Sequence, residues 1–474
     1  MEEIMAKDYL FHAESMWHKQ DANEQAAIQA YGERFKAFLN AAKTEREFVA
    51  LAIKELKELG YKEINACPTL KAGDKVYQSI RGKGLAVAVI GKRPSEEGFN
   101  LLGSHIDSPR FDAKAHSVQE HDKLAYLATQ YYGGVKKYQW TCMPLAIHGV
   151  ITKADGTVIP VSIGEKEDEP VFYFTDLLPH LGREQMSKTA NSFIQAEQLK
   201  LLVGSEPSQN TETKEPYRER ILEIIAEKYG VTEADLIASE LEIVPANKAR
   251  DVGLDRSMIG SYGQDDKLCS FASFTAIADI NECERTSIAF LYDKEEIGSE
   301  GNTGAQSRLY ELFLMQLVKK TCQAYDSVIY NQIISKSYMI SSDVTAAFDP
   351  MYPDVFDKAN NAYLTEGLCL MKHTGSGGKS SSNDANSEFL RAVINIFEKA
   401  NLPWQIGTLG KIDAGGGGTI AKFAAKTGMQ VVDAGIPVLS MHAPMEICHK
   451  LDLYYSYLAY KAFLLNMDLL VGDR

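Results

Sequence analysis

Four short apolar stretches in this chain each run into a residue able to hold a cation and a fifth place sets an acid pair ahead of one, and that recurrence narrows the folds open to it. The most telling is Ile288-Ala289-Phe290-Leu291-Tyr292, which leads into Asp293-Lys294-Glu295-Glu296-Ile297-Gly298-Ser299. Neighbouring acids beside an apolar core repel each other and lose hydration, a cost relieved by a cation or a shared proton. A metal is the simplest relief: one glutamate binds the ion, and the other, off the ion, moves protons.

The remaining stretches supply the rest of such a site. Asn100-Leu101-Leu102-Gly103-Ser104 leads into His105-Ile106-Asp107-Ser108-Pro109-Arg110, where His105 and Asp107 alternate onto one side of an extended segment. His105 is thereby a ligand candidate, and Asp107 its partner, accepting from the other ring nitrogen and fixing the tautomer. Gly263-Gln264-Asp265-Asp266-Lys267 brings an acid pair to the start of the helix-like stretch 268–274. Met339-Ile340-Ser341-Ser342-Asp343 ends a strand on an acid, and Val438-Leu439-Ser440-Met441-His442 ends one on an imidazole. In open α/β sheets ligands gather outside the carboxyl ends of strands, so residues distant in sequence can converge. Mixed imidazole and carboxylate donors suit zinc, manganese or cobalt better than thiolate-seeking ions, and this many donors fit two ions bridged by one acid. Taken singly, Asp343 reads as a cap or turn residue, Asp265-Asp266 as an N-cap, and His442 as a hydrogen-bonded structural histidine.

Taken together and in this order, Ser104-His105-Ile106-Asp107-Ser108-Pro109, Gln264-Asp265-Asp266, Glu295-Glu296-Ile297-Gly298-Ser299, Ser342-Asp343 and Leu439-Ser440-Met441-His442 resemble the aspartyl aminopeptidase and aminopeptidase I family of dinuclear zinc metallopeptidases, the bacterial aminopeptidase I-like branch in particular. The resemblance implies Asp265 as the ligand shared by two ions, with His105 and Asp343 on one and Glu296 and His442 on the other. It implies Glu295 as general base, with Asp107 beside it in the catalytic apparatus. The cofactor would be two Zn²⁺ per subunit, with Co²⁺ or Mn²⁺ as substitutes; aminopeptidases are already a standing example of two-metal sites. The implied reaction removes the N-terminal residue of short peptides by a metal-bridged hydroxide. Water, whose pKa is about 15.7 in bulk, ionises near roughly 7 on a catalytic metal, and Glu295 would take its proton and pass it to the leaving amine.

For the substrate, the family pattern points to His148, presented by one subunit to its neighbour's site; on the residues alone His148 reads equally as an outward-facing strand residue. Two glycine-dense stretches are the other candidates. Met371-Lys372-His373-Thr374-Gly375 would bring Lys372 and His373 to the substrate, and Asp413-Ala414-Gly415-Gly416-Gly417-Gly418-Thr419 would offer backbone donors around Gly418; both also read as surface turns. The second lacks the Gly-Lys-Ser/Thr ending of a phosphate loop. The aspartyl branch carries histidines shortly after its metal-binding Asp, where this chain has Asp343-Val344-Thr345-Ala346, so a broad or neutral preference fits better, while Lys372 leaves an acidic one open.

At 474 residues the chain exceeds what one core usually holds. Helical periodicity dominates residues 22–59, and strand signals follow from Gly84 to His105. The stretch 111–249 turns β-rich: a long β-like run over 141–151 meets Val158-Ile159-Pro160-Val161-Ser162-Ile163 across an Asp155-Gly156 hairpin turn. A polar loop over 204–215 and a helix over 216–229 follow, and alternating strands and helices resume from Met258. The expected fold is α/β, a three-layer mixed-sheet catalytic domain (1–110 and 250–474) interrupted by a β-rich dimerisation and oligomerisation domain (111–249). The family resemblance implies that such modules pair subunits and build a hollow tetrahedral dodecamer.

A net charge of -14 argues against a nucleic-acid surface. Gly84-Leu85-Ala86-Val87-Ala88-Val89-Ile90-Gly91 is too short for a membrane span, and Met1-Glu2-Glu3-Ile4-Met5-Ala6-Lys7-Asp8 lacks a signal peptide's apolar run. Seven scattered cysteines without Cys-x-x-Cys suit reduced thiols in a cytoplasm; Cys448, near His442 and His449, reads as a packing residue ahead of a thiol site. Two other functions fit the residues: a catalytically silent assembly or peptide-binding scaffold, and a related dinuclear amidohydrolase or deacylase. An intact Glu295 speaks against the first, and rejection of acetylated peptides would separate the second.

Overall fold

The computed structural model describes residues 10–473; the amino-terminal stretch read for an export signal lies outside them. Every residue of Gly84–Val89, Asn100–His105 and Ser287–Tyr292 is buried, as expected of strands covered on both faces. They form the middle of a nine-stranded mixed sheet that runs Lys62–Glu63, Lys75–Ile80, Gly84–Val89, Ser287–Tyr292, Asn100–His105, Tyr338–Ser341, Gln430–Gly435, Leu368–Met371, Trp404–Ile406. Ser287–Tyr292, Asn100–His105, Tyr338–Ser341 and Gln430–Gly435 are parallel neighbours, so their carboxyl ends open on one side.

Alternation along the strands divides the core in two. Leu85, Val87 and Val89 face a cluster built with Phe35, Phe48, Phe271, Phe389 and Phe463. Ala86, Ala88 and Ile90 face the opposite cluster, with Phe313, Leu317 and Ile333. Helices Ala22–Ala41, Glu45–Glu58, Gln264–Ala278, Ser387–Lys399 and Lys450–Asn466 supply the first layer, and Arg308–Thr321 with Ser327–Ser335 the second. The three-layer expectation therefore holds.

The helical stretch 22–59 is two helices rather than one. Thr44 stops the run: its hydroxyl accepts from Glu47 N (3.3 Å) while the Glu47 carboxylate accepts from Thr44 N (3.1 Å). Such a reciprocal cap is worth about 1 kcal/mol, enough to restart a helix after a turn.

Between the two parts of this unit lies a six-stranded antiparallel sheet, ordered Val158–Ile163, Leu145–Thr152, Ser239–Pro245, Arg110–His121, Leu124–Tyr132, Leu201–Gly204. Phe111, Trp140, Phe174 and Ile243 form its own core. The Asp155-Gly156 turn joins the expected hairpin, and the helix Pro216–Tyr229 stands where the periodicity places it. A third sheet of five short strands runs Arg250–Val252, Met258–Ser261, Glu446–His449, Pro437–Leu439, Thr345–Ala346. It sits where the chain leaves the open strand ends, and it returns late segments toward early ones.

All seven cysteines are free, and Cys448 is fully buried among core residues, in line with a packing role. No helix among the described residues is long and apolar enough to cross a membrane.

His148 does not alternate outward. It is 3% exposed, with Nδ1 2.7 Å from Glu47 Oε1 and Nε2 2.9 Å from Glu165 Oε1, and Lys43 Nζ lies 2.6 Å from the same Glu165 oxygen. The outward reading fails because the helix Glu45–Glu58 covers that strand face. Both ring nitrogens are committed within this chain, clamping the inserted sheet to the catalytic unit. Burial alone would lower the imidazole pKa, but hydrogen bonds to Glu165 and Glu47 outweigh it and lift it to about 9. A folded-state pKa above the ordinary value near about 6.5 gives stability that is whole below that value and lost as pH rises through about 9. Denaturant titrations should show roughly 3 kcal/mol of stability lost from this source over that window. His148→Gln should flatten the loss; an unchanged slope would show that the clamp does not carry it.

Candidate metal centre

Two sheets deliver the site. The strand ends of the nine-stranded sheet carry His105, the Glu295-Glu296 pair and, two residues beyond Ser341, Asp343. The small sheet brings the remainder: Met258–Ser261 leads to Asp265 at the head of the helix Gln264–Ala278, and Pro437–Leu439 leads to His442. All six candidates thus reach one place.

Asp265 stands at the middle. Its Oδ1 lies 3.3 Å from His105 Nε2, and its Oδ2 lies 3.1 Å from His442 Nε2. Asp343 Oδ1 and Glu295 Oε2 approach His105 Nε2 to 3.6 and 3.9 Å, and Glu296 Oε1 approaches His442 Nε2 to 3.5 Å. One carboxylate therefore joins two half-sites, each with its own imidazole and further acids.

Both rings are turned by what lies behind them. His105 Nδ1 is 3.0 Å from the Asp107 carbonyl and 3.2 Å from Asp107 Oδ1, while His442 Nδ1 is 2.9 Å from the Gly134 carbonyl. A carbonyl only accepts, so each Nδ1 carries the proton and each Nε2 faces the acids as a potential metal donor. Asp107 does more than its expected part. Its Oδ1 accepts from Glu295 N (3.1 Å) and its Oδ2 from Glu296 N (3.2 Å) and the Tyr132 hydroxyl (2.8 Å). It is thus a positioning residue for the whole glutamate pair.

The electrostatics call for positive charge. Burial pushes the Glu295 carboxyl up to about 8, with Asp343, Asp107 and Asp265 adding to the rise and His105 opposing it. Burial also lifts Glu296, which faces Asp265, and Asp343. Burial would lower both imidazoles, but hydrogen bonds to Asp107 and Asp265 drive His105 well above its usual range, and Asp265 and Glu296 carry His442 to about 10. Glu296 Oε1 and Asp266 Oδ1 are buried without a hydrogen-bond partner, each costing about 1–3 kcal/mol. His105, Asp265 and Glu296 offer donor atoms within 4.8 Å of one another, as do His105, Asp266 and Asp343. A cluster of hard oxygen and imidazole donors with excess negative charge and orphaned acceptors fits a divalent ion such as zinc.

Sequence reasoning missed Glu446. Its Oε1 accepts from His442 N (2.8 Å) and its Oε2 from Asp265 N (3.1 Å), so one buried carboxylate fixes two ligand-bearing segments. A single acid opening the strand Glu446–His449 carries no signal that separates it from a solvated one. Asp266, joined to Asp265 by a cis peptide bond, turns instead toward the His105 amide (3.2 Å). Tyr132 and Gly134 were missed as well; an aromatic pair followed by two glycines was the available cue.

The substrate candidates make contacts of their own. Lys372 Nζ pairs with Asp384 (2.5 Å), which also holds Lys379 (2.8 Å), and the His373 backbone bridges to the same aspartate. The two glycine-dense stretches meet: Gly375–Ser376 pairs with Gly416–Gly417 in a two-stranded ribbon, and Thr419 anchors its end on buried Asp433 (2.6 Å). Gly418 backs onto the Ser381 carbonyl, where a Cβ would approach to 2.6 Å. His148 lies in the Glu47–Glu165 clamp.

A three-layer α/β unit whose strand ends pool imidazoles and carboxylates is the frame of a metal-dependent hydrolase. The comparisons say which. Residues 38–464 match the family described as Aminopeptidase I zinc metalloprotease (M18), and the chain belongs to that family. It is similar to a probable M18 family aminopeptidase 1 of Clostridium acetobutylicum, 47% identical over 466 residues that cover 98% of this chain and 100% of the relative. A relative of the same description from Thermotoga maritima is 41% identical over 450 residues, 95% of this chain and 98% of its own. Among solved structures, an M18 aminopeptidase from Thermotoga maritima superposes with a TM-score of 0.93 at 40% identity, covering 97% of this chain and 100% of that one. Aminopeptidase I from Clostridium acetobutylicum gives 0.90 at 45%, covering 96% and 100%. The protein is a zinc metalloaminopeptidase, and the scaffold and deacylase readings are not favoured.

Because Glu296 is a buried acid among acids, Glu296→Gln should leave the metal-free protein as stable as wild type or more so. The same change should remove much of the stabilisation that zinc confers, which for wild type at about 100 Kd is roughly 2.7 kcal/mol. Thermal unfolding with and without zinc reads both; a full zinc response in the variant would place the ion elsewhere.

Proposed function

We propose that the chain holds two zinc ions, one on His105 and Asp343, the other on Glu296 and His442, with Asp265 shared between them, and removes the N-terminal residue from short peptides. The observation that carries this reading is the shared carboxylate: each Asp265 oxygen faces a different imidazole. Cobalt or manganese would satisfy the same donors. Bound zinc supplies Lewis acidity, easing the ionisation of water and polarising the peptide carbonyl.

Glu295 does the proton work. Its Oε2 faces the cluster beside His105 Nε2 (3.9 Å), and its backbone amide is pinned by Asp107, which fixes where the side chain starts. With cations offsetting the neighbouring acids, a carboxylate placed here would be ionised, able to accept a proton and give it back. Glu295 takes the proton from the attacking water and returns it to the leaving amine. Surplus negative charge around it suits a substrate's free ammonium terminus.

For the first residue of the substrate we favour a neutral or broad preference. Lys372 is neutralised in part by Asp384, and Val344, Thr345 and Ala346 follow Asp343. Lys372, His373 and Gly418 line the ribbon that would border the side-chain pocket. We further propose a cytoplasmic enzyme, in keeping with its seven unpaired cysteines, and a homo-oligomer built through the inserted sheet at 111–249. Exposed Val158, Val171, Leu178, Leu181 and Met186 on that module support the latter. A yeast chain of the same fold, 21% identical with a TM-score of 0.74, is described as a dodecamer, and a tetrahedral dodecamer is the assembly we propose for this chain. Light scattering should report a particle of that size, and Leu181→Asp should reduce it; a monodisperse monomer would remove the assembly from the proposal.

Glu295→Gln should keep its fold and both ions yet lose about 10² to 10⁴ in kcat. The assay is hydrolysis of aminoacyl anilides across a panel of first residues, with an N-acetylated peptide as control. Near-normal turnover by a metal-replete variant would strip Glu295 of its role, and cleavage of the acetylated peptide would argue against an aminopeptidase.

A further inference from the structure

The inserted module touches the metal centre at one short segment, the end of its strand Leu124–Tyr132 and the two glycines that follow. The Tyr132 hydroxyl donates to Asp107 Oδ2 at 2.8 Å, and two residues on, the Gly134 carbonyl accepts from His442 Nδ1 at 2.9 Å. Asp107 stands behind His105, Glu295 and Glu296. Three consecutive residues of the module therefore hold the outer nitrogen of one histidine and the carboxylate behind the other.

The fit admits no side chain. A Cβ on Gly134 would lie 2.9 Å from His442 Nδ1, and one on Gly133, at φ +74°, would lie 3.2 Å from both Cβ and Oε2 of Glu296. Glycine is required at Gly133 by its left-handed backbone as well as by space. Tyr132 is fixed in turn: the Arg110 guanidinium lies 4.0 Å from its ring centroid, and Arg110 is gripped by Asp112 (2.8 Å), Glu242 (3.2 Å) and Glu45 (3.3 Å). Asp112 and Glu242 belong to the module's sheet and Glu45 to a helix of the catalytic unit, so the tyrosine is held from both. With Tyr132 in place all four acceptor directions of Asp107 are used; without it one is left unpaired and the hold on His105 and the two glutamate amides loosens.

We propose that Tyr132-Gly133-Gly134 is a positioning element for both metal sites, by which the inserted module sets metal affinity in addition to any part it has in assembly. The inference rests on the ligand set proposed above. Outer hydrogen bonds to ligating histidines and carboxylates typically change metal affinity about 10- to 100-fold; the Gly134 contact acts on His442 alone, whereas the Tyr132 contact acts through Asp107 on both His105 and Glu296, so their losses are distinguishable.

The test titrates full-length, metal-free protein with Zn²⁺ and Co²⁺ against a competing chelator, following the cobalt visible spectrum. Wild type should bind two ions. Gly134→Ala should weaken one of them about 10- to 100-fold, the same one abolished by His442→Ala, and leave the other at wild-type affinity. Tyr132→Phe should weaken both ions, one through His105 and the other through Glu296, and lower kcat more than it raises KM, since it also loosens Glu295. Should Gly134→Ala fail to fold, Tyr132→Phe decides by itself. Lower thermal stability with both affinities and the cobalt spectrum unchanged would overturn the proposal, because a purely structural role predicts that result. Failure of wild type itself to bind two ions would instead overturn the ligand set and, with it, this inference.

Discussion

A single carboxylate facing two imidazoles organises this molecule. Asp265 is buried, yet hydrogen bonds from His105 and His442 hold its carboxyl well below the usual range against that burial. Around it the acids outnumber the imidazoles, and such an excess persists in a folded protein only where a cation repays it or neighbours hold it by force. The restraint comes from two buried carboxylates that bind no ion in our assignment. Asp107 ties the amides of Glu295 and Glu296, and Glu446 ties those of Asp265 and His442. Left-handed backbone at Lys294, Ser440 and His442 marks where the chain is bent to meet these demands, at about 1–3 kcal/mol each.

Much of this was legible in residue order. Strands buried on both faces announce themselves as unbroken apolar runs, and His105, Glu295, Glu296 and Asp343 stand at or just past their ends because an open sheet has only one crevice to offer, while Asp265 and His442 reach it from the small sheet. The hairpin at Asp155-Gly156 and the helix over 216–229 were readable from turn chemistry and periodicity. The hidden part has a common physical cause. Glu446, Tyr132 and Gly134 act through one or two hydrogen bonds that reach residues distant in sequence, and one acid, one phenol or one backbone carbonyl has no periodicity to betray it. The break at Thr44 was missed because its reciprocal bond with Glu47 is local, while the apolar spacing continues on either side.

His148, which the family pattern singles out, also has a structural part in the fold. Its strand alternates in and out as expected, but a helix from the other unit covers the supposedly outward face, and two glutamates take both nitrogens. The cluster it forms with Lys43 does for the two units what Asp107 and Glu446 do for the ligands: buried charges, matched one against another, fix a relative placement that apolar packing alone would leave free to slide. Lys372 is similar on a smaller scale, its charge shared with Asp384 before any substrate arrives.

The small five-stranded sheet has a consequence for how the molecule is made. It pairs Met258–Ser261 with Glu446–His449, and so joins His442 to partners that emerge from the ribosome long before it. Until that late strand arrives, His105 and the glutamates have no second imidazole and Asp265 no brace. The cluster around Asp265 is therefore closed only after nearly the whole chain has been made.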